Sequence, residues 1–181
     1  MSLIIGVRCK DGCLLIADYR NRINKNGVIT YEDNFEKVVI HNGYLIYNHG
    51  YNRIKDEDWK NRYKDLTPDD SNPIYKEILD EMSHKPDKKA SYVFLNKIHL
   101  HEITIEVGRG VTYANHLQND RIVSGTGEKY VDLKLLVNLR KQKCKKVHTK
   151  LKATFENAYY RMKYLSGNEF SEKHNIKQLL S

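Results

Sequence analysis

Cysteine is scarce in this chain: three in 181 residues, at Cys9, Cys13 and Cys144. They form no C-x-x-C pair and no even set, which excludes a disulfide framework and points to a reducing compartment, hence the cytoplasm. No apolar run approaches the length of a membrane span. Arg8, Lys10 and Asp11 interrupt the N-terminal segment before a secretory apolar region can form. With three prolines and ten glycines the chain shows no repeat, low-complexity tract or domain linker. Acidic residues are also short. Twenty-three Asp and Glu face 31 Lys and Arg, giving a net charge of +8 and a pI near 9.2.

What remains has the make-up of one globular domain with a sizeable core, spanning residues 1–181, with a polar tail at 168–181. Hydrophobic residues are 40% and charged residues 30%. Thirteen tyrosines against four phenylalanines suggest amphipathic packing surfaces between subunits. The basic run "RKQKCKKVHTKLK" (140–152) has helical spacing but little aromatic interleaving, so it lacks the stacking platform of a single-strand binder. A nucleic-acid partner is therefore not expected.

Apolar, partly β-branched segments predict strands at 3–9 and 13–18, joined by the hairpin signal Asp11-Gly12. "KVVIH" (37–41) and "YLIYN" (44–48) flank Asn42-Gly43 as a second hairpin. Further strands are expected at 28–31, 91–96, 98–107, 111–115 and 121–125. Helices are expected at 52–65, at 73–84 with Asp70 or Ser71 as cap, at 128–141 and at 147–165. Strand blocks alternating with helix pairs imply a layered α+β fold, mainly antiparallel, with helices outside two facing sheets.

The chemistry-bearing residues stand out because they interrupt apolar strands. Asp18 ends "CLLIAD", Arg20 follows two residues on, and Lys37 opens "KVVIH". A carboxylate and an ammonium at the ends of core strands are costly unless paired. They read either as a structural ion pair or as a lysine that polarises a nucleophile, held by the aspartate. Other clusters offer less. His99 and His101 share a strand face but lack a third metal ligand with convincing spacing. Cys9 and Cys13 suit small core positions. "GTGEK" (125–129) lacks phosphate-loop spacing.

"IIGVRCKDGCLLIADYR" resembles the opening of proteasome β-type subunits and of the bacterial protease HslV. Gly12, Asp18, Arg20, Lys37 in "FEKVVIH" and Gly50 in "YNHG" follow that family's order, counted from Ser2. "RIVSGTGEKY" is similar to its Gly-Ser-Gly segment, and "MKYLSG" to a conserved helix end. The resemblance implies a four-layer αββα sandwich in which loss of Met1 exposes Ser2 as an N-terminal nucleophile. It further implies that Asp18 fixes Lys37, that the N–H of Gly50 holds the oxyanion, and that Thr126 and Ser166 surround the amine. A peptide substrate would add as a strand near Asn21, Arg22, Asn48, His49 and Asn52. The polar, basic pocket there implies a preference for acidic or polar side chains before the scissile bond. No metal and no cofactor is implied. Partners would be a polypeptide substrate, copies of the chain in a homo-oligomeric ring, and a separate ATPase unfoldase. The sequence departs from the family in three places. Ser2 stands where most members have Thr, Lys163 where many have Asp, and Tyr51, Asn52 and Arg53 where small residues follow the glycine. The rival expectation is a catalytically silent assembly or binding protein of the same fold, holding an acidic or nucleic-acid partner on its basic surface.

Overall fold

The computed structural model describes residues 3–25, 28–32, 35–55, 57–84, 89–116, 120–125, 127–166 and 174–180. The chain divides into two compact units, Met1–Lys37 with Asn119–Ser181, and Val38–Gln118.

The first unit is built on β1 (Ile4–Cys9) and β2 (Gly12–Asp18), the hairpin expected from Asp11-Gly12. β3 (Asn21–Lys25) and β4 (Val28–Glu32) form a separate two-stranded ribbon. The alternation of β1 and β2 sends Leu3, Ile5, Val7 and Cys9, with Leu14 and Ile16, to one buried face. A long helix in the same unit, Cys144–Ser166, covers that face with Cys144, Val147, Leu151, Phe155, Ala158 and Met162. Those spacings of three and four residues make one apolar stripe on a 3.6-residue period. Each large side chain buried there contributes roughly 1.5–3 kcal/mol.

The second unit begins with β5 (Val38–His41) and β6 (Tyr44–Gly50), joined at Asn42-Gly43 as expected. Two short bridging strands follow, β7 (Arg53–Ile54) and β8 (Glu57–Asp58). Helix α1 (Pro73–Met82) comes next, then β9 (Lys89–Leu95), β10 (Leu100–Glu106) and β11 (Gly110–Asn115). The strands form an antiparallel five-stranded sheet in the order β11-β10-β9-β6-β5. α1 packs Ile74, Tyr75, Ile78 and Met82 into a cluster with Ile46, Tyr92, Phe94, Ile103 and Ile105. Its cap is Asn72, whose side chain accepts the Ile74 N–H, and Pro73 fills the first turn. Asp70 and Ser71 are not the cap: Asp69 instead binds Ser71, through both its N–H and its hydroxyl. Gly50 closes β6 with φ +85°, and a Cβ there would run into the Lys89 carbonyl oxygen. Only glycine meets both demands.

The chain then returns to the first unit through β12 (Arg121–Ser124), the 23-residue helix α2 (Cys144–Ser166) and β13 (His174–Leu180). The sheet order is β12-β1-β2-β13, all antiparallel. The expected polar tail thus contains an edge strand, with His174 opposite Asp18 and Leu180 opposite Gly12.

The four-layer αββα sandwich is corrected. It requires a helix pair for each sheet, and two of the four helical segments are not helices. At 52–65, Lys55 sits at φ +53°, which breaks a right-handed helix, and β7 and β8 pair around it. The segment continues as two 3₁₀ turns, Trp59–Asn61 and Tyr63–Asp65, that bury Trp59. At 128–141 the chain forms three 3₁₀ turns. Asp132 caps a fresh turn through Lys134 N–H, and Asn138 is left-handed at φ +55°. Each unit holds one α-helix among the described residues, and antiparallel sheet dominates the fold.

Candidate active site

The end of β2 and the residues just before β5 meet in the first unit. Asp18 and Lys37 are both buried, at 2% and 7% exposure. Lys37 Nζ donates to Asp18 Oδ1 at 2.9 Å. The same oxygen accepts the Leu3 N–H at 3.0 Å, and Oδ2 accepts the Arg20 N–H at 3.2 Å. The Asp18 N–H donates back to the Leu3 carbonyl at 3.3 Å. One carboxylate therefore ties together Leu3 just before β1, the segment after β2 and the approach to β5.

The approach to β5 is itself anchored. Phe35 N–H donates to the Tyr19 carbonyl at 3.1 Å. Glu36 binds Lys177 at 2.6 Å and accepts from Asn175 at 3.1 Å, so the edge strand β13 holds the residue preceding Lys37. Gly127 is packed against the same corner. A Cβ there would stand 2.9 Å from Leu3 Cβ and collide with Met162 Sδ, so the close approach requires glycine.

Burial pulls the Lys37 amine below its ordinary range, and the neighbouring Asp18 carboxylate pulls it back toward the charged form. A buried ammonium with one carboxylate partner keeps a donor hydrogen available for a further acceptor. Its field in such a setting stabilises a developing negative charge nearby more strongly than it would in water.

Asp18 and Lys37 are brought together. The Leu3 N–H is the partner that side-chain reasoning missed, since a backbone donor carries no residue-type signal. Ser2 and Thr126 lie outside the described residues. Asn21 and Arg22 lie in β3, and Ser166 ends α2. Lys163 is on the exposed part of α2.

The remaining sequence candidates belong to the second unit. The Asn48 side chain donates to the Tyr51 carbonyl at 3.1 Å and the Ser91 carbonyl at 3.4 Å, which holds the bend after β6. His49 stacks on Tyr47 with centroids 5.9 Å apart. Burial, the first cause, lowers its pKa; Lys89 lowers it further, and Glu102 opposes. The Asn52 carbonyl accepts the Trp59 N–H at 2.9 Å. The rings of His99 and His101 stack at 5.2 Å, and His101 Nδ1 lies 2.7 Å from the Tyr113 hydroxyl. Among the described residues no three His, Cys, Asp or Glu side chains are grouped to hold a metal ion. Cys9, Cys13 and Cys144 are buried thiols outside any disulfide. Burial pushes Cys13 up to about 12 and raises the other two, so none of them is a ready nucleophile.

Solved structures extend the fold assignment. An Anbu (Gly-1) mutant from Hyphomicrobium sp. strain MC1 superposes with a TM-score of 0.57 at 11% identity, covering 100% of this chain and 84% of that one. Anbu, described as an ancestral beta-subunit, from Yersinia bercovieri gives 0.65 at 11% identity, covering 98% and 81%. The chain has a proteasome-like β-subunit fold. No family model and no curated protein matches the sequence. The resemblance to proteasome β-type subunits and HslV is therefore corrected as a family assignment. The likeness is to Anbu structures, and at 11% identity it reaches the fold alone. No helix among the described residues is long and apolar enough to cross a membrane.

Proposed function

We propose that the chain is a subunit of a self-assembling peptidase in which the hydroxyl of Ser2 attacks the peptide carbonyl once removal of Met1 has freed the Ser2 amine. The observation that supports this reading is the double grip of Asp18. It binds the Lys37 ammonium and also the amide nitrogen of the Ser2–Leu3 bond. The carboxylate thus links the buried cation to Leu3, the residue that follows Ser2 in the chain.

In the proposed reaction the Ser2 amine, with an ordinary pKa of roughly 7.7–8, takes the hydroxyl proton. The hydroxyl oxygen bonds to the carbonyl carbon, and Lys37 lowers the energy of the charged oxygen. Collapse of the tetrahedral adduct breaks the carbon–nitrogen bond, and the leaving amine receives the proton. Water then repeats the sequence, releasing the acid and restoring the hydroxyl. Thr126 and Ser166 act in this reading as hydrogen-bond partners of the amine. That the Anbu of Yersinia bercovieri is an ancestral beta-subunit supports the assembly part.

Intact-mass spectrometry and a fluorogenic peptide panel on wild type, Ser2→Ala and Lys37→Met test it, with folding checked by circular dichroism. The expected result is loss of Met1, no turnover by Ser2→Ala, and at least about 10²-fold slower turnover by Lys37→Met. A retained Met1, or Ser2→Ala as active as wild type, overturns the proposal.

A further inference from the structure

The net charge of the chain is not spread evenly. Residues 128–166 hold eleven Lys and Arg against three Asp and Glu, a net +8 equal to that of the whole chain. The other 142 positions carry 20 of each sign. Within those 142, residues 57–82 hold eight Asp and Glu against four Lys and Arg, a net −4. The first segment comprises the 3₁₀ turns before α2 and α2 itself. The second comprises β8, two 3₁₀ turns and α1.

Both segments show their charge to solvent. Lys145, Lys146 and Lys150 are exposed on α2, and Asp70, Glu77 and Asp80 on or beside α1. The basic segment also exposes apolar side chains: Leu133 at 45%, Leu135 at 47%, Val137 at 48%, Tyr160 at 64% and Tyr164 at 90%. Three of these lie in the turns before α2 and two on α2 itself, so apolar area accompanies the charge along the segment, as on a docking surface. The lysines at the start of α2 are also misplaced for the helix itself. Lys145 and Lys146 lie in the first turn, at the positive end of the helix dipole, with no acidic residue there.

We propose that the basic surface of α2 and its preceding turns docks on the acidic α1 surface of a second copy of this chain. The inference rests on the assembly part of the reading above and names its contact. A second copy is favoured over other anionic partners because the complementary surface is already present in the sequence. Two different surfaces meet, so the contact is heterologous, and each copy retains one of each to offer, building a ring or an open array. Two copies of the same basic surface repel, which excludes a symmetric contact through α2.

Sedimentation of the full chain at about 0.05 M and 1 M salt tests the proposal, because exposed charges act over about 10 Å at 0.1 M salt but only about 3 Å at 1 M. Wild type is expected to be oligomeric at low salt and to dissociate at high salt. One variant carries Lys141→Glu, Lys143→Glu, Lys145→Glu, Lys146→Glu and Lys150→Glu, which takes residues 128–166 from +8 to −2; the other carries Asp70→Lys, Glu77→Lys and Asp80→Lys, which takes residues 57–82 from −4 to +2. Each alone presents two surfaces of one sign and is expected to sediment as a monomer. An equimolar mixture regains the oligomer, because each variant now complements the other. Wild type that is oligomeric while either variant keeps its mass, or a mixture that does not reassemble, overturns this contact and leaves assembly standing. Wild type that is monomeric at low salt overturns assembly as well, and a duplex oligonucleotide bound by that monomer identifies nucleic acid as the occupant of the basic surface.

Discussion

A buried ion pair alone is a poor device for stability, because desolvating two charges costs about as much as their attraction returns. Asp18 and Lys37, nearly solvent-free and 2.9 Å apart, form such a pair. Their worth is therefore separable from the fold by comparing single and double substitution. Asp18→Asn leaves a buried ammonium without its counter-charge and is expected to cost about 3–5 kcal/mol. Lys37→Met leaves the carboxylate in the same position, although its bonds to the Leu3 and Arg20 N–H groups retain part of its solvation. The double variant Asp18→Asn/Lys37→Met removes both charges, and the remaining amide oxygen can still accept the Leu3 N–H. Urea unfolding should place it well above the Asp18→Asn single variant, while peptide turnover stays lost in all three. Activity returning with stability in the double variant would show the pair to be structural only.

At the scale of elements, β13 is the strand whose loss reaches furthest. It pairs with β2 over seven residues, and its Asn175 and Lys177 hold Glu36, the neighbour of Lys37. Deleting residues 174–181 is expected to bare the β2 edge, lower the urea midpoint and promote aggregation. It should also reduce peptide turnover more than Glu36→Gln, which removes one ion pair and keeps the strand; light scattering and the peptide panel read the two effects. β13 was not legible in the sequence. "HNIKQLL" lacks the clean alternation of β1, and its partner strand lies some 160 positions earlier, beyond the reach of any local pattern. The hairpins were legible because Asp11-Gly12 and Asn42-Gly43 stand between β-branched runs. The segments at 52–65 and 128–141 misled because apolar residues at spacings of three to five suit a 3₁₀ turn as well as an α-helix. What separates them is a left-handed Lys55 and Asn138, a conformation that asparagine favours but lysine does not announce. Of the candidate site, Asp18 at the end of β2 and Lys37 just before β5 were legible as charged residues beside apolar strands. The Leu3 N–H was not, since every residue but proline carries one.

At the scale of the whole molecule, the charge distribution sets one requirement against another. Eleven cations against three anions over 39 residues repel one another, and those at the first turn of α2 also oppose its dipole. Asp11 offsets part of this by accepting the Cys144 N–H at 2.7 Å. A chain selected for stability alone would not keep the remaining cations there, so the cost points to a use outside the monomer. Lys145→Glu and Lys146→Glu reverse the sign at the helix start and relieve the repulsion. Each is expected to stabilise the monomer by about 0.3–1 kcal/mol at low ionic strength. For a chain of this length that corresponds to a rise of about 1–4 °C in Tm per substitution. The gain should shrink in 1 M salt, where the screening length falls to about 3 Å. Calorimetry on the double variant therefore has a signed expectation: the monomer becomes more heat-resistant while low-salt assembly weakens, because residues 128–166 fall from +8 to +4. A Tm that falls, or a gain indifferent to salt, would mean that these lysines support the fold through contacts of their own and that the surface has not been kept for a partner.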